Sequence, residues 1–138
     1  MFQRLMAAVV KVQDPKTGVW YQILDKPNEE GNYLESSCSS MFVYSLLKGI
    51  RQEHLPADFM DAAERGYKGI FQEFVEVTPD GQVHLHKGCV VAGLGGRPYR
   101  DGSFQYYVSE PVRSNDPKAV GPFILACLEY EMKSRPLR

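Results

Sequence analysis

Apolar positions recur at helical spacing from the first residues: Leu5, Met6, Val9 and Val12 follow Phe2, and the pattern stops at the turn-rich cluster Asp14-Pro15-Lys16-Thr17-Gly18. This predicts a helix that begins almost at once. From Val19 to Asn32 no period is sustained and Pro27 and Gly31 intervene, so the stretch reads as a long structured loop carrying Trp20 and Tyr21. In Glu35 to Arg51 the apolar residues Met41, Phe42, Val43, Tyr44, Leu46, Leu47 and Ile50 follow a run of small ones, Ser36 to Ser40, and almost no charged face remains. A helix without a polar stripe must be surrounded by protein, and its small residues let neighbouring backbones approach, so an inner helix is predicted. Ala57 to Glu76 is amphipathic, with Phe59, Ala63, Tyr67, Ile70, Phe71 and Phe74 on one stripe, and is predicted as an outer helix. The short join at Gln52 to Pro56 makes these two antiparallel neighbours.

Beyond the turn signal Thr78-Pro79-Asp80-Gly81, Val83, Leu85 and the run Cys89-Val90-Val91-Ala92 suggest small strands in a long excursion that Gly93, Gly95, Gly96 and Pro98 keep from becoming helical. Asn115-Asp116-Pro117 then supplies a cap followed by proline at the first helical position, and Val120, Phe123, Ile124, Cys127, Leu128 and Glu131 carry the last helix. The order outer, inner, outer, inner places both long connections, 14–34 and 77–115, at the end where inner helices begin. The predicted fold class is therefore all-α, a partial α/α toroid of about four helices with a β excursion before the last one. Its pocket is expected where the inner-helix N-termini converge.

Charge narrows the partners. Sixteen Lys plus Arg stand against 17 Asp plus Glu, scattered along the chain, which gives no electrostatic footprint for nucleic acid or an anionic membrane. No apolar run approaches the roughly 18 residues of a spanning helix, and no cleavable leader is read at the start. The three cysteines, Cys38, Cys89 and Cys127, are odd in number and widely spaced, which argues against a disulfide framework. A reducing, cytoplasmic compartment is expected, with the periplasm tolerated.

A family likeness lies in Gly18-Val19-Trp20-Tyr21-Gln22, Asn32-Tyr33-Leu34-Glu35-Ser36-Ser37, Arg100-Asp101-Gly102-Ser103, Tyr106-Tyr107, Asn115-Asp116 and Gly121-Pro122-Phe123. In this order they resemble the carboxy-terminal part of the unsaturated rhamnogalacturonyl hydrolases and, more distantly, the unsaturated glucuronyl hydrolases, from about Val10 to Glu131. The resemblance implies a six-hairpin toroid that removes a terminal unsaturated uronic acid from pectin- or glycosaminoglycan-derived oligosaccharides. It implies an aspartate that protonates the vinyl ether and adds water across it, and neither metal nor other cofactor. That aspartate, with the histidine and arginine-tryptophan neighbours of the sugar site, belongs to the amino-terminal half of such enzymes. No residue here is expected to inherit its role.

Several side chains are weighed for the pocket wall. Glu35 beside the inner helix is the one candidate acid, against a dipole-favoured structural acid. Ser36 and Ser37 are sugar ligands or helix caps. Trp20 and Tyr21 suit a carbohydrate platform, against Trp20 pinning its loop. Arg100 and Ser103 are placed to grip a uronate carboxylate and a ring oxygen, against an internal pair of Arg100 with Asp101. Tyr106 and Tyr107 alternate across a predicted strand, so at most one faces the pocket. His84 and His86 share a strand face without a third ligand, which is weak evidence for metal. Gly93 to Gly96 lacks the Lys-Ser pair and following helix of a phosphate loop.

The expectation is thus a glycoside hydrolase segment that supplies one pocket wall through Trp20, Tyr21, Ser36, Ser37, Arg100, Ser103 and Tyr106 and is inactive alone. Exposed apolar flanks predict self-association, or association with the missing amino-terminal half. A noncatalytic carbohydrate-binding or interaction module, or a truncated gene product, is the alternative.

Overall fold

The computed structural model describes residues 1–133. Its elements are α1 (Phe2–Lys11), α2 (Ser36–Arg51), a single 3-10 turn (Ala57–Phe59) leading into α3 (Met60–Phe74), β1 (Val75–Val77), β2 (Val83–Leu85), β3 (Gly88–Cys89), α4 (Phe104–Ser109), β4 (Val112–Arg113) and α5 (Pro117–Met132). α2 touches α1, α3 and α5, which is where a helix without a charged stripe has to sit. Val43, Leu46 and Leu47 of α2 are fully buried against a core that includes Val9, Ala63, Ile70, Phe74 and Ala126.

Named contacts fix the helix directions. A Cβ on Gly49 near the end of α2 would meet Phe2 at the start of α1, so these two run antiparallel. Tyr67 stacks on Tyr130 with ring centroids 3.7 Å apart, Phe71 meets Phe123, and the Lys133 ammonium reaches Glu64 at 2.8 Å. α3 and α5 are therefore antiparallel as well. At the far end of α2 the Arg51 fork grips the nearly buried Glu129 of α5 with bonds of 2.7 and 2.9 Å, whereas the first turn of α5 lies by Gly88 and the α2 N-terminus by Lys87 and Cys89. α2 and α5 hence run the same way, and their N-termini share one end of the molecule with both long connections.

The first connection is folded tightly over α3. The Thr17 carbonyl lies 2.1 Å from where a Cβ on Gly69 would stand, so only glycine lets the loop cross the helix there. Gln13, buried, ties the same crossing by donating to the carbonyls of Gly18 and Ala62 at 2.7 and 2.9 Å, while Arg65 donates to its oxygen.

The structure corrects three local expectations. The outer helix ends at Phe74 rather than Glu76, because Val75–Val77 pairs antiparallel with Val83–Leu85, Val75 opposite Leu85. The run from Cys89 to Ala92 is strand only at Cys89, paired with Val112; Val90 still donates to the Pro111 carbonyl, and Val91 and Ala92 turn outward. Tyr106 and Tyr107 lie on the short helix α4, not on a strand, because the Ser103 hydroxyl caps it by accepting from the Tyr106 N–H at 3.1 Å.

Candidate functional site

The shared end of α2 and α5 is built around Glu35. Its backbone is extended and its side chain turns back over the helix it precedes. The carboxylate, 1% exposed, accepts from the N–H groups of Ser37 and Cys38 at 3.0 and 2.6 Å and from the Ser37 hydroxyl at 2.8 Å. It also accepts from the Cys89 N–H at 2.8 Å, across from the second connection. Glu35 is thus helix cap and inter-loop clamp at once, and its oxygens are occupied.

The two connections meet over this cap. The Ser36 N–H donates to the Lys87 carbonyl at 3.0 Å, Gln22 reaches the Cys89 sulfur at 3.4 Å, and Gly31 lies against Val108 of α4. Half-buried Tyr21 pairs by its backbone with Leu34 across the neck of the first loop. Burial first, then the neighbouring Cys89 thiol, holds the Tyr33 hydroxyl well above the ordinary phenol range. Cys38 behaves likewise: burial and then the Glu35 carboxylate push its thiol up, so it stays protonated and is no nucleophile. Gln22, Tyr33 and Cys89 were not singled out from sequence; their signal was the way Asn32-Tyr33-Leu34-Glu35 abuts the small-residue helix.

The candidates read from sequence fall into two groups. Trp20 is fully buried: its ring meets Phe42 edge-on, and its indole and main-chain N–H groups donate to the Val9 carbonyl at 2.8 Å and the Ser39 hydroxyl at 3.0 Å. It pins the first connection to α1 and α2. Ser36 is also fully buried, and its hydroxyl has no hydrogen-bond partner among the described residues. Tyr21, Ser37, Arg100, Ser103 and Tyr106 are half-buried on the connections or at the helix starts.

Arg100 and Asp101 do not form the internal pair considered from sequence. Asp101 accepts from the Ser103 N–H at 2.9 Å, which holds its carboxyl below the usual range, and the Arg100 Nε donates to the Gly95 carbonyl at 3.0 Å. The Tyr106 hydroxyl accepts from the Gly93 N–H at 3.1 Å, joining α4 to the glycine-rich loop. On the outer side of the excursion, His86 bridges Glu76 and Ser114 at 2.8 and 2.7 Å, and His84 meets Asn115 at 2.9 Å. Among the described residues no group of three or more His, Cys, Asp or Glu is placed to hold a metal, and no helix is long and apolar enough to cross a membrane.

Alternating antiparallel helices with both elaborated connections at one end are the arrangement of a segment of a helical toroid. A C. acetobutylicum ATCC 824 glycoside hydrolase from family 105 superposes with a TM-score of 0.90 at 54% identity, over 92% of this chain and 35% of that one. A possible family-105 member from Klebsiella pneumoniae superposes at 0.76 with 28% identity, over 95% of this chain and 30% of that one. Protein Atu3128 of Agrobacterium fabrum and the 24.9 kDa protein in the picA locus of Rhizobium radiobacter are each 36% identical, over 96% of this chain. The chain spans 59% of the length of these two relatives. Residues 1–134 match Glycosyl Hydrolase Family 88, and the chain belongs to that family.

Proposed function

We propose that this chain forms one wall of the sugar pocket of a hydrolase acting on oligosaccharides that end in an unsaturated uronic acid. The wall consists of Tyr21, Ser37, Arg100, Ser103 and Tyr106, with Trp20 and Ser36 holding it from behind. One observation carries the reading: the N-termini of α2 and α5 and both long connections gather at a single end, locked by Glu35 to Cys89. Both helix starts are already capped by carboxylates of the chain, Glu35 on α2 and Asp116 on α5, so the positive charge that suits an acidic sugar is supplied by Arg100 of the second connection.

Proton transfer to the vinyl ether is not assigned to this chain. Glu35 is enclosed and its oxygens are engaged by four donors, which leaves it no open edge toward a sugar. The wall positions a substrate, and the acid and base belong to the remainder of the toroid.

The test is an assay of the purified chain on an unsaturated galacturonyl disaccharide, followed by loss of the double-bond ultraviolet absorbance and, separately, by binding calorimetry. Saturable binding without turnover is expected. Turnover would return an acid to this chain, with Glu35 or Asp101 as candidates; absence of binding would remove the pocket wall itself.

A further inference from the structure

We propose that the hollow between the Gly93–Arg100 loop and α4, the part of that wall formed by Arg100 and Tyr106, is an anion-binding subsite that takes the carboxylate of a saturated uronic acid residue next to the unsaturated end sugar, with Arg97 and Arg100 as its readers. The inference rests on the carbohydrate reading above and deepens it. The hollow measures about 400 Å3 and is lined chiefly by Arg97, Tyr99, Arg100, Tyr106 and Glu110. That size lies within the range of about 300–1,000 Å3 common to small-ligand sites.

Arg100 is held as a preset fork. Gly95 and Arg100 exchange backbone hydrogen bonds of 2.8 and 3.1 Å, and Nε is spent on the Gly95 carbonyl at 3.0 Å. The guanidinium lies flat against the loop: a Cβ on Gly93 would stand 2.5 Å from Nη1, and one on Gly96 2.9 Å from Nη2. The glycines therefore make room for the arginine. Its two terminal amino groups have no hydrogen-bond partner among the described residues, and neither arginine forms an ion pair there. A half-buried cation that makes no ion pair is poorly compensated, and a planar guanidinium whose edge of two terminal amino groups is open matches a carboxylate in both shape and charge.

The rest of the lining fits a sugar rather than a bare anion. Tyr99, 76% exposed, offers a flat ring to a pyranose face. Burial first, then its hydrogen bond to the Glu110 carboxylate, holds the Tyr106 hydroxyl above its ordinary value, so the pair forms one polar edge of the hollow. Two guanidinium groups facing one carboxylate leave a single net positive charge, which suits one uronate better than a dianion.

The experiment is calorimetry on the full chain with digalacturonate, its dimethyl ester and inorganic phosphate, for the native sequence and the variants Arg97→Ala and Arg100→Lys. Digalacturonate is expected to bind about tenfold or more tighter than the ester, with both variants cutting that preference to about threefold or less while ester binding persists. Acid and ester binding alike, phosphate competing as strongly as digalacturonate, or a preference surviving in both variants would each overturn the subsite. A native chain that binds the unsaturated disaccharide but not digalacturonate contradicts this inference and spares the carbohydrate reading. A native chain that binds neither contradicts the two together.

Discussion

At the scale of single residues, Glu35 separates a structural role from a chemical one. Because its carboxylate accepts from three backbone N–H groups in a buried setting, Glu35→Gln should lower folding stability by about 2 kcal/mol or more, read as a shift in urea midpoint. An unchanged midpoint would free Glu35 for a catalytic part. Gly69→Ala should cost about 1–3 kcal/mol by the same measure, since the Thr17 carbonyl occupies the space a methyl group would need. Much of this was legible from sequence: an acid just ahead of a run of serines reads as a helix start. The inter-loop bond to Cys89 was not, because residues 35 and 89 are joined only by the fold. Asp101 was weighed as the partner of Arg100, but the Ser103 N–H two positions on satisfies it locally.

At the scale of elements, the long helices were readable because burial imposes a period on them, and α2 showed its central place by lacking charge. The failures are all short. Phe104–Ser109 has strand-favouring aromatic and β-branched residues and is too brief for a helical stripe, so a single serine cap decides its state. Likewise Val75–Val77 continues the apolar pattern of α3 yet pairs with β2. The contact between α3 and α5 offers a pH test. Lys133 at 2.8 Å holds the Glu64 carboxyl below its ordinary value of 4.5. A depressed carboxyl stabilises the fold above its unfolded value, and that contribution fades as pH falls from 4.5 through the lower folded value. Thermal melts should therefore lose less on acidification through this window in Glu64→Gln than in the native chain; equal losses would discount the pair. At the opposite end, Arg51→Met should destabilise by stranding the buried Glu129, and pairing it with Glu129→Leu should restore part of the loss, because no carboxylate then remains uncompensated.

At the scale of the whole molecule, the helices form an open layer. Ile124, Leu125 and Leu128 of α5 and Leu5 of α1 are exposed, between 43% and 56%, on the two flanking helices. Apolar stripes of this kind associate, so light scattering should show mass rising with concentration, and Ile124→Lys with Leu128→Lys should return the chain to monomer. A native chain monomeric at every concentration would contradict this. The sequence alone indicated the toroid class because loop lengths alternate along the chain. What it could not reveal is how the second connection folds back, since glycines and short strands carry no period. The central claim is that one end of these helices faces sugar. Amide shift mapping by nuclear magnetic resonance during titration with an unsaturated galacturonyl disaccharide tests it most directly. Perturbations are predicted at Tyr21, Ser37, Arg100, Ser103 and Tyr106; shifts confined to the far end around Arg51 and His54, or to the outer face of α3, would contradict the account.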